Sequence, residues 1–127
     1  MAIINIDFDG TVLTHEYPRL GKDIGAVPVL KRLVENGHQL ILFTMRGNNS
    51  YLKEAIDWFK LNDIPLYGIN TNPTQRGWTD SPKSHADLIL DDTAFGCPLK
   101  YDYSISSRPF VDWEIVENML VQMGYLS

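Results

Sequence analysis

The sequence predicts an α/β fold, a Rossmann-like three-layer sandwich with a mainly parallel β-sheet. Short apolar runs rich in β-branched residues, typical of strands covered on both faces, alternate with stretches that carry apolar residues at helical spacing. Their order along the chain is strand, helix, strand, helix, strand, strand, helix. With 127 residues, of which 44% are hydrophobic, the chain is large enough for one core, so we expect a single domain over residues 1–127.

The first half of the chain predicts two strands and the helix between them. The run Ala2–Phe8 is the first strand, and residues 12–27, which lack clear periodicity, are predicted as a loop. Pro28 occupies the first turn of a helix that ends at Gly37. The second buried strand is Gln39–Thr44.

The middle of the chain continues the alternation. An apolar stripe over Leu52–Phe59 predicts a second helix, closed before Pro65, and the short run 65–69 predicts a third strand. Residues 70–82 are rich in turn formers and long for a simple connection, which favours a functional loop. Ala86–Leu90 is the fourth strand.

The C-terminal part predicts a weak strand and a helix. The weak strand lies around Leu99–Tyr103, and no role beyond packing is predicted for the rest of residues 99–111. The final helix starts near Asp112. Its predicted inward face consists of Ile115, Val116, Met119, Leu120 and Met123.

Composition restricts the partners and the compartment. The formal charge of −5, from 11 basic and 16 acidic residues, offers no broad basic surface, which argues against nucleic acid except as a substrate of a local site. The single cysteine, Cys97, forms no internal disulfide, and no signal pattern or membrane-length apolar run is present, so we expect a cytoplasmic protein without a membrane partner.

Polar residues follow three of the predicted strands. Asp7 and Asp9 come at the end of the first strand, Thr44 ends the second, and Asp91 and Asp92 follow the fourth. Right-handed crossovers place the carboxyl ends of parallel strands along one edge of the sheet, where ligands of open α/β sheets bind. We therefore expect these side chains to converge.

Convergence of four carboxylates requires a cation or protonation, because like charges raise one another's pKa. A cluster of oxygen ligands without His or Cys favours a hard ion, and Mg²⁺ is the predicted cofactor. One consistent arrangement binds the ion through the Asp7 side chain and the Asp9 backbone carbonyl, which keeps the Asp9 carboxylate available for proton transfer. The residues alone do not decide which of Asp91 and Asp92 binds the ion directly.

These residues carry a family resemblance. The sequence DFDGT at positions 7–11, Thr44, Lys83 and the pair Asp91-Asp92 resembles, in order, the four motifs of the haloacid dehalogenase (HAD) superfamily. The resemblance covers about the first three quarters of the chain. It implies a HAD-like fold and phosphoryl transfer through an aspartyl-phosphate with bound Mg²⁺.

The resemblance also implies roles for individual residues. Asp7 is the expected nucleophile, and Asp9 the general acid and then base. Thr44 and Lys83 are expected to hold the phosphoryl group. Members with a paired Asp-Asp favour Asp92 as the direct metal ligand. A surface position in solvent is the alternative interpretation of Lys83, because only seven residues, 84–90, separate it from Asp91.

Three further residues belong to the candidate site, and His15 lies near it in the sequence. Gly10 allows backbone amides to approach a phosphate closely, and Gly10 and Thr11 belong to the expected substrate-binding set. Arg46 either binds a second anionic group of the substrate or forms a structural pair with the predicted group of carboxylates. His15 lies just past the first motif, within possible reach of a substrate.

The intervals between the motifs are too short for the cap domain that many HAD enzymes carry. Residues 12–27 hold a loop or small hairpin, and residues 46–82 are nearly consumed by one helix, one strand and the 70–82 loop. The resemblance is therefore to capless members. Such a site is shielded from water by a large substrate, by a second subunit of a homo-oligomer, or by the 70–82 loop acting as a lid.

The expected function is Mg²⁺-dependent hydrolysis of a phosphomonoester, with a phosphorylated substrate that the sequence does not identify. One alternative is a non-catalytic module that binds metal or phosphate for regulation. The other keeps the same chemistry and assigns it to polynucleotide or phosphoprotein ends.

Overall fold

The computed structural model describes residues 1–47 and 49–127 and confirms the α/β class. Its main sheet has four parallel strands: β1 (Ile3–Ile6), β2 (Gln39–Leu42), β3 (Gly68–Ile69) and β4 (Leu88–Leu90). The order in the sheet is β3-β2-β1-β4, so β1 lies between β2 and β4. The carboxyl ends of β1 and β4, which precede the predicted acidic residues, are therefore neighbours.

Three helices and a small hairpin complete the described structure. The helices are α1 (Ala26–Glu35), α2 (Asn49–Leu61) and α3 (Trp113–Gln122). Strands β5 (Leu99–Lys100) and β6 (Phe110–Val111) pair with each other antiparallel and form a separate two-stranded sheet. Between β3 and β4 the described chain forms only a short 3₁₀ turn, Gln75–Gly77, where an α/β crossover usually has a helix.

The two faces of the main sheet differ in chemistry. Alternate residues such as Ile4, Ile6 and Leu42 are fully buried in the hydrophobic core together with apolar residues of α1, α2 and α3. On the other face the buried Asn5 lies opposite Ile41 in register. The Asn5 side-chain amide donates to the Ser84 carbonyl at 3.3 Å, so the β3–β4 connection covers this face.

Helix α3 corrects the predicted inward face. Val116 and Leu120 are buried as predicted, whereas the prediction was wrong for the exposed residues Ile115, Met119 and Met123, with 46%, 40% and 54% exposure. The Asp112 side chain caps the helix by accepting from the Ile115 amide, and the buried indole of Trp113 donates to the Thr11 carbonyl at 2.7 Å. This anchor turns the 113/116/120 stripe toward the core.

The strands are shorter than predicted. The first predicted strand ends at Ile6 because the chain turns next, with the amides of Thr11 and Val12 both donating to the Phe8 carbonyl. The third, predicted over 65–69, keeps only its last two residues, and the weak strand near Leu99 pairs only with β6. None of the described helices is long and apolar enough to cross a membrane.

Candidate active site

Three carboxylates meet at the carboxyl edge of β1 and β4. Asp7, Asp91 and Asp92 each offer an oxygen, and these oxygens lie within 4.8 Å of one another. The Asp7 amide donates to the Leu90 carbonyl at 2.9 Å, which extends the β1–β4 ladder by one step and holds the two acidic segments side by side. We refer to these three residues as the acidic cluster.

Thr11 links two members of the acidic cluster, Asp7 and Asp92, through hydrogen bonds. Its fully buried hydroxyl donates to Asp7 Oδ2 at 2.8 Å, accepts from the Asp92 amide at 3.0 Å and lies 3.3 Å from Asp92 Oδ1. Thr11 was predicted to bind substrate. The structure instead places its hydroxyl between two carboxylates, where it orients them.

The backbone at Gly10 leaves room for Asp92. Gly10 has a φ of 84°, and a Cβ built on it would lie 2.8 Å from Asp92 Cγ, with closer overlap at Oδ2. The Gly10 carbonyl accepts from the Val111 amide at 3.0 Å, so β6 supports this turn. Glycine is required here for two reasons, the left-handed backbone and the close carboxylate.

Burial and a neighbouring charge raise the pKa values of two members of the acidic cluster, Asp7 and Asp92. Burial, and then the charge of Asp91, raise the pKa of Asp7 to about 8, while the hydrogen bond from Thr11 opposes the shift. Burial also raises the pKa of Asp92, and Asp91 adds to the effect. A hard divalent cation fits this set of oxygen donors, because it would compensate the charges of Asp7 and Asp92, whose ionisation burial disfavours.

The Asp9 carboxylate lies apart from the acidic cluster and is bound by Arg46. Arg46 Nε donates to Asp9 Oδ2 and Nη2 donates to Asp9 Oδ1, both at 2.8 Å. The Arg46 side chain is 1% exposed and that of Asp9 12% exposed, so this bidentate pair is shielded from solvent. The hydrogen bonds that Arg46 donates to the Asp9 carboxylate raise the pKa of Arg46 above its ordinary value.

The rest of the Arg46 guanidinium is also occupied. Its Nη1 donates to the Tyr51 carbonyl and its Nη2 to the Arg19 carbonyl, each at 3.1 Å. The guanidinium carbon lies 5.0 Å from the ring centroid of Phe8 and 5.2 Å from that of Tyr17. Of the two predicted interpretations of Arg46, this geometry fits the structural pair.

Thr44 was predicted to end the second strand and lies two residues past the observed end of β2. Its amide donates to Asn70 Oδ1 at 2.8 Å, and its hydroxyl oxygen accepts from the Arg46 amide at 3.1 Å. The residue borders the same cavity as Asp7. Its hydroxyl hydrogen can therefore be directed toward a ligand above the acidic cluster.

A solvent-open cavity of about 350 Å³ lies over these residues. It combines the carboxylates with two arginines, a histidine and several larger side chains. Its lining consists of Asp7, Asp9, His15, Tyr17, Thr44, Met45, Arg46, Asp91, Asp92, Thr93 and Arg108. Residues 70–82 do not line it, so the structure gives the predicted lid segment a different position, around a second cavity of about 450 Å³.

Lys83 also lies outside the lining of the candidate active site. Lys83 is exposed. Its backbone carbonyl accepts from Gln75 Nε2 at 2.9 Å, and its backbone amide donates to Ser81 Oγ at 3.2 Å. This placement corresponds to the alternative interpretation, a lysine in solvent. Of the two residues predicted to hold a phosphoryl group, Thr44 therefore lines the cavity and Lys83 does not.

Arg108 is the residue that the sequence did not indicate. It comes from the segment 99–111, for which only packing was predicted, and its Nη1 lies 3.5 Å from His15 Nδ1 on the wall of the cavity. The two residues are 93 positions apart. No local pattern reveals such a contact, because it depends on how the β5–β6 hairpin packs against the loop after β1.

Fold and site together define an α/β protein with a parallel sheet whose strand ends carry an acidic cluster beneath an open cavity. No family model and no curated protein matches the chain. A solved structure of a conserved protein from Bacteroides thetaiotaomicron is 33% identical, with a TM-score of 0.77 over 96% of this chain and 91% of that one. The chain belongs to the same family as that protein.

Proposed function

We propose that this protein is a Mg²⁺-dependent phosphomonoester hydrolase of the HAD type. The observation that carries the proposal is the convergence of Asp7, Asp91 and Asp92 within 4.8 Å, beside Thr44 on an open cavity. Binding of a divalent ion explains why three half-buried acids are held together. A phosphorylated substrate that contacts the nucleophile Asp7 and the hydroxyl of Thr44 would enter through the cavity that both residues line.

Asp7 is the proposed nucleophile. One of its carboxylate oxygens attacks the phosphorus of the substrate, the bond from phosphorus to the leaving oxygen breaks, and an aspartyl-phosphate forms. Water then attacks that phosphorus and releases phosphate, which restores the Asp7 carboxylate. Thr11 keeps the second oxygen of Asp7 in place through its 2.8 Å hydrogen bond, which fixes the direction of attack.

Asp7, Asp91 and Asp92 would hold the ion, with the Asp9 backbone carbonyl as a further proposed ligand. Mg²⁺, when bound there, supplies positive charge that reduces repulsion between the carboxylates and an incoming phosphate. The residues fit this role because their donor atoms are oxygens and because burial raises the pKa of Asp7, so that its charge needs compensation. Thr44 would donate its hydroxyl hydrogen to a phosphoryl oxygen.

Asp9 is the proposed proton-transfer residue, and Arg46 sets its geometry. Both Asp9 oxygens accept hydrogen bonds at 2.8 Å from Arg46, so protonation of either oxygen weakens one of these bonds. A base step starts from the unprotonated Asp9 that pairs with Arg46, whereas an acid step needs a protonated Asp9 before the substrate reacts. An aryl phosphate, whose leaving group departs without a proton, is therefore the appropriate first substrate.

The experiment compares Asp7→Asn with a matched Asp→Asn control, Asp57→Asn, on the exposed side of α2. With p-nitrophenyl phosphate and Mg²⁺ we expect Asp7→Asn to lose at least about a thousandfold in turnover, because an amide is not a nucleophile. Asp57 pairs only with the exposed Lys53 in the described structure, so its substitution should leave turnover within about twofold. Unchanged turnover in Asp7→Asn overturns the mechanism.

A second candidate is a non-catalytic module that binds Mg²⁺ or phosphate. The engagement of both Asp9 oxygens by Arg46 favours it, since binding alone needs no free proton-transfer group. Wild-type protein that binds Mg²⁺ but releases no phosphate from a panel of aryl, sugar, nucleotide and phosphopeptide monoesters would support this candidate. The same panel tests the proposal of polynucleotide or phosphoprotein ends as substrates.

A further inference from the structure

We infer that Arg108 is the cationic residue that binds the phosphoryl group of the substrate. It would have the role that the sequence analysis assigned to Lys83. The inference rests on the proposed function and adds to it a binding residue from the β5–β6 hairpin. It starts from the charges that face the cavity. Four carboxylates line it, those of Asp7, Asp9, Asp91 and Asp92.

The charge balance of the cavity requires a further cation. Arg46 compensates Asp9, and one divalent ion offsets two of the three charges of the acidic cluster. A phosphomonoester dianion then enters a site that still has excess negative charge. Although the cavity is open to solvent, a further positive group that faces it would offset this repulsion and hold the anion more tightly.

Arg108 is the fully charged cation of the lining whose guanidinium remains available. The nitrogen atoms of Arg46 are occupied by Asp9, Tyr51 and Arg19. Among the described residues, no carboxylate forms an ion pair with Arg108, whose guanidinium has only the 3.5 Å contact with His15 Nδ1. Its planar fork of donors can bind two phosphoryl oxygens at once.

The hairpin that carries Arg108 is fixed to the site at several points. The Val111 amide donates to the Gly10 carbonyl at 3.0 Å, next to Asp92. Further along the hairpin, the Ser106 hydroxyl donates to Glu16 Oε2 at 3.0 Å. These bonds hold the backbone on both sides of Arg108 against the loop after β1, so that the guanidinium is presented at the cavity wall.

The experiment compares Arg108→Ala and Arg108→Lys with Lys83→Ala as the matched control cation. With p-nitrophenyl phosphate and Mg²⁺ we expect kcat/KM to fall about 10- to 100-fold in Arg108→Ala, with partial recovery in Arg108→Lys, because a charge-assisted contact to the phosphoryl group is lost. Lys83→Ala should stay within about twofold of wild type. Arg108 is exposed, so the melting temperature and Mg²⁺ affinity of the variants should match wild type.

Titration of inorganic phosphate into the Mg²⁺-loaded proteins separates this inference from the proposed function. Wild type and Lys83→Ala should bind phosphate equally, and Arg108→Ala about tenfold or more weakly. If wild type hydrolyses the ester and Arg108→Ala equals it in both assays, the inference fails and the function stands. If wild type lacks turnover but binds phosphate through Arg108, the function fails and the binding role holds. Absence of both turnover and phosphate binding in wild type overturns both.

Discussion

At the scale of single residues, the site depends on two carboxylate environments that differ although the residues are neighbours in sequence. Asp7 is half-buried beside two other acids and a threonine hydroxyl, and partial burial raises its pKa to about 8. Asp9, two positions later, points to a buried arginine that engages both of its oxygens. Asp7 therefore lies where a metal ion could bind, whereas Asp9 is already paired with the Arg46 guanidinium. This division lets adjacent acids carry different roles.

The raised pKa of Asp7 predicts a pH-dependent affinity for Mg²⁺. Below about pH 8 the ion must displace a proton from Asp7, so the affinity should increase with pH by up to about tenfold per unit and level off above pH 8. Isothermal titration between pH 6 and pH 9 measures this. The slope should become smaller in Asp7→Asn, in which Asp92 remains as a ligand with a raised pKa. An affinity that does not change over this range in wild type contradicts the assignment of Asp7 as a ligand.

The raised pKa of Asp7 also determines whether the stability of the metal-free protein rises or falls with pH. A carboxyl group whose pKa is raised in the folded state binds its proton more tightly there than in the unfolded chain. Stability without Mg²⁺ should therefore fall as the pH rises from the ordinary carboxyl value of 3.8 toward about 8. Bound Mg²⁺ removes this loss, because it replaces the proton as the partner of the carboxylate.

At the scale of elements, the turn after β1 is the part on which the other segments converge. Gly10 accepts from Val111 of β6, Thr11 accepts from the Trp113 indole of α3, and Thr11 also reaches Asp92 after β4. Segments distant in sequence thus meet on one short turn. Its geometry sets the distance between Asp7 and Asp92.

This convergence predicts a specific effect of Gly10→Ala, for which Gly37→Ala is the matched control. Both glycines have a positive φ, 84° and 87°, so both substitutions should cost about 1–2 kcal/mol of stability. A Cβ at Gly37 meets nothing within 4 Å, whereas one at Gly10 displaces the Asp92 carboxylate. Only Gly10→Ala should weaken Mg²⁺ binding, by about tenfold or more, as measured by titration. Equal Mg²⁺ affinity in the two variants rules out close packing at Gly10 as a requirement of the site.

The elements also show what the sequence can predict. Strand ends that meet at one edge follow from the order of apolar runs, so the juxtaposition of Asp7 with Asp91 and Asp92 was accessible in advance. The inward face of α3 was not, because its rotation depends on the long-range bond from Trp113 to Thr11. Arg108 was missed for the same reason. Its position depends on hairpin docking, which leaves no periodic pattern in the chain.

At the scale of the whole molecule, the acidic cluster lies at the carboxyl edge of the sheet, and this edge faces an open cavity. The cavity is open to solvent and lies between strand ends, the loop after β1 and the β5–β6 hairpin. The described chain between β3 and β4 covers one face of the sheet and contributes no lining residue to this cavity. Any ligand that fills the cavity therefore bridges segments from both ends of the chain.

This bridging predicts global stabilisation by a trapped phosphoryl analogue. Mg²⁺ with BeF₃⁻, which mimics a phosphoryl group on a carboxylate, should raise the free energy of unfolding by about 2.7 kcal/mol at a hundredfold excess over its dissociation constant. That corresponds to roughly 10 °C in melting temperature. Asp57→Asn should retain the shift, and Asp7→Asn should lose it. Because β1, β4 and the β5–β6 hairpin all border the cavity, hydrogen exchange should slow in all three together. Protection confined to one segment, or no shift at saturating ligand, would mean that the acids do not assemble into one phosphoryl-transfer site.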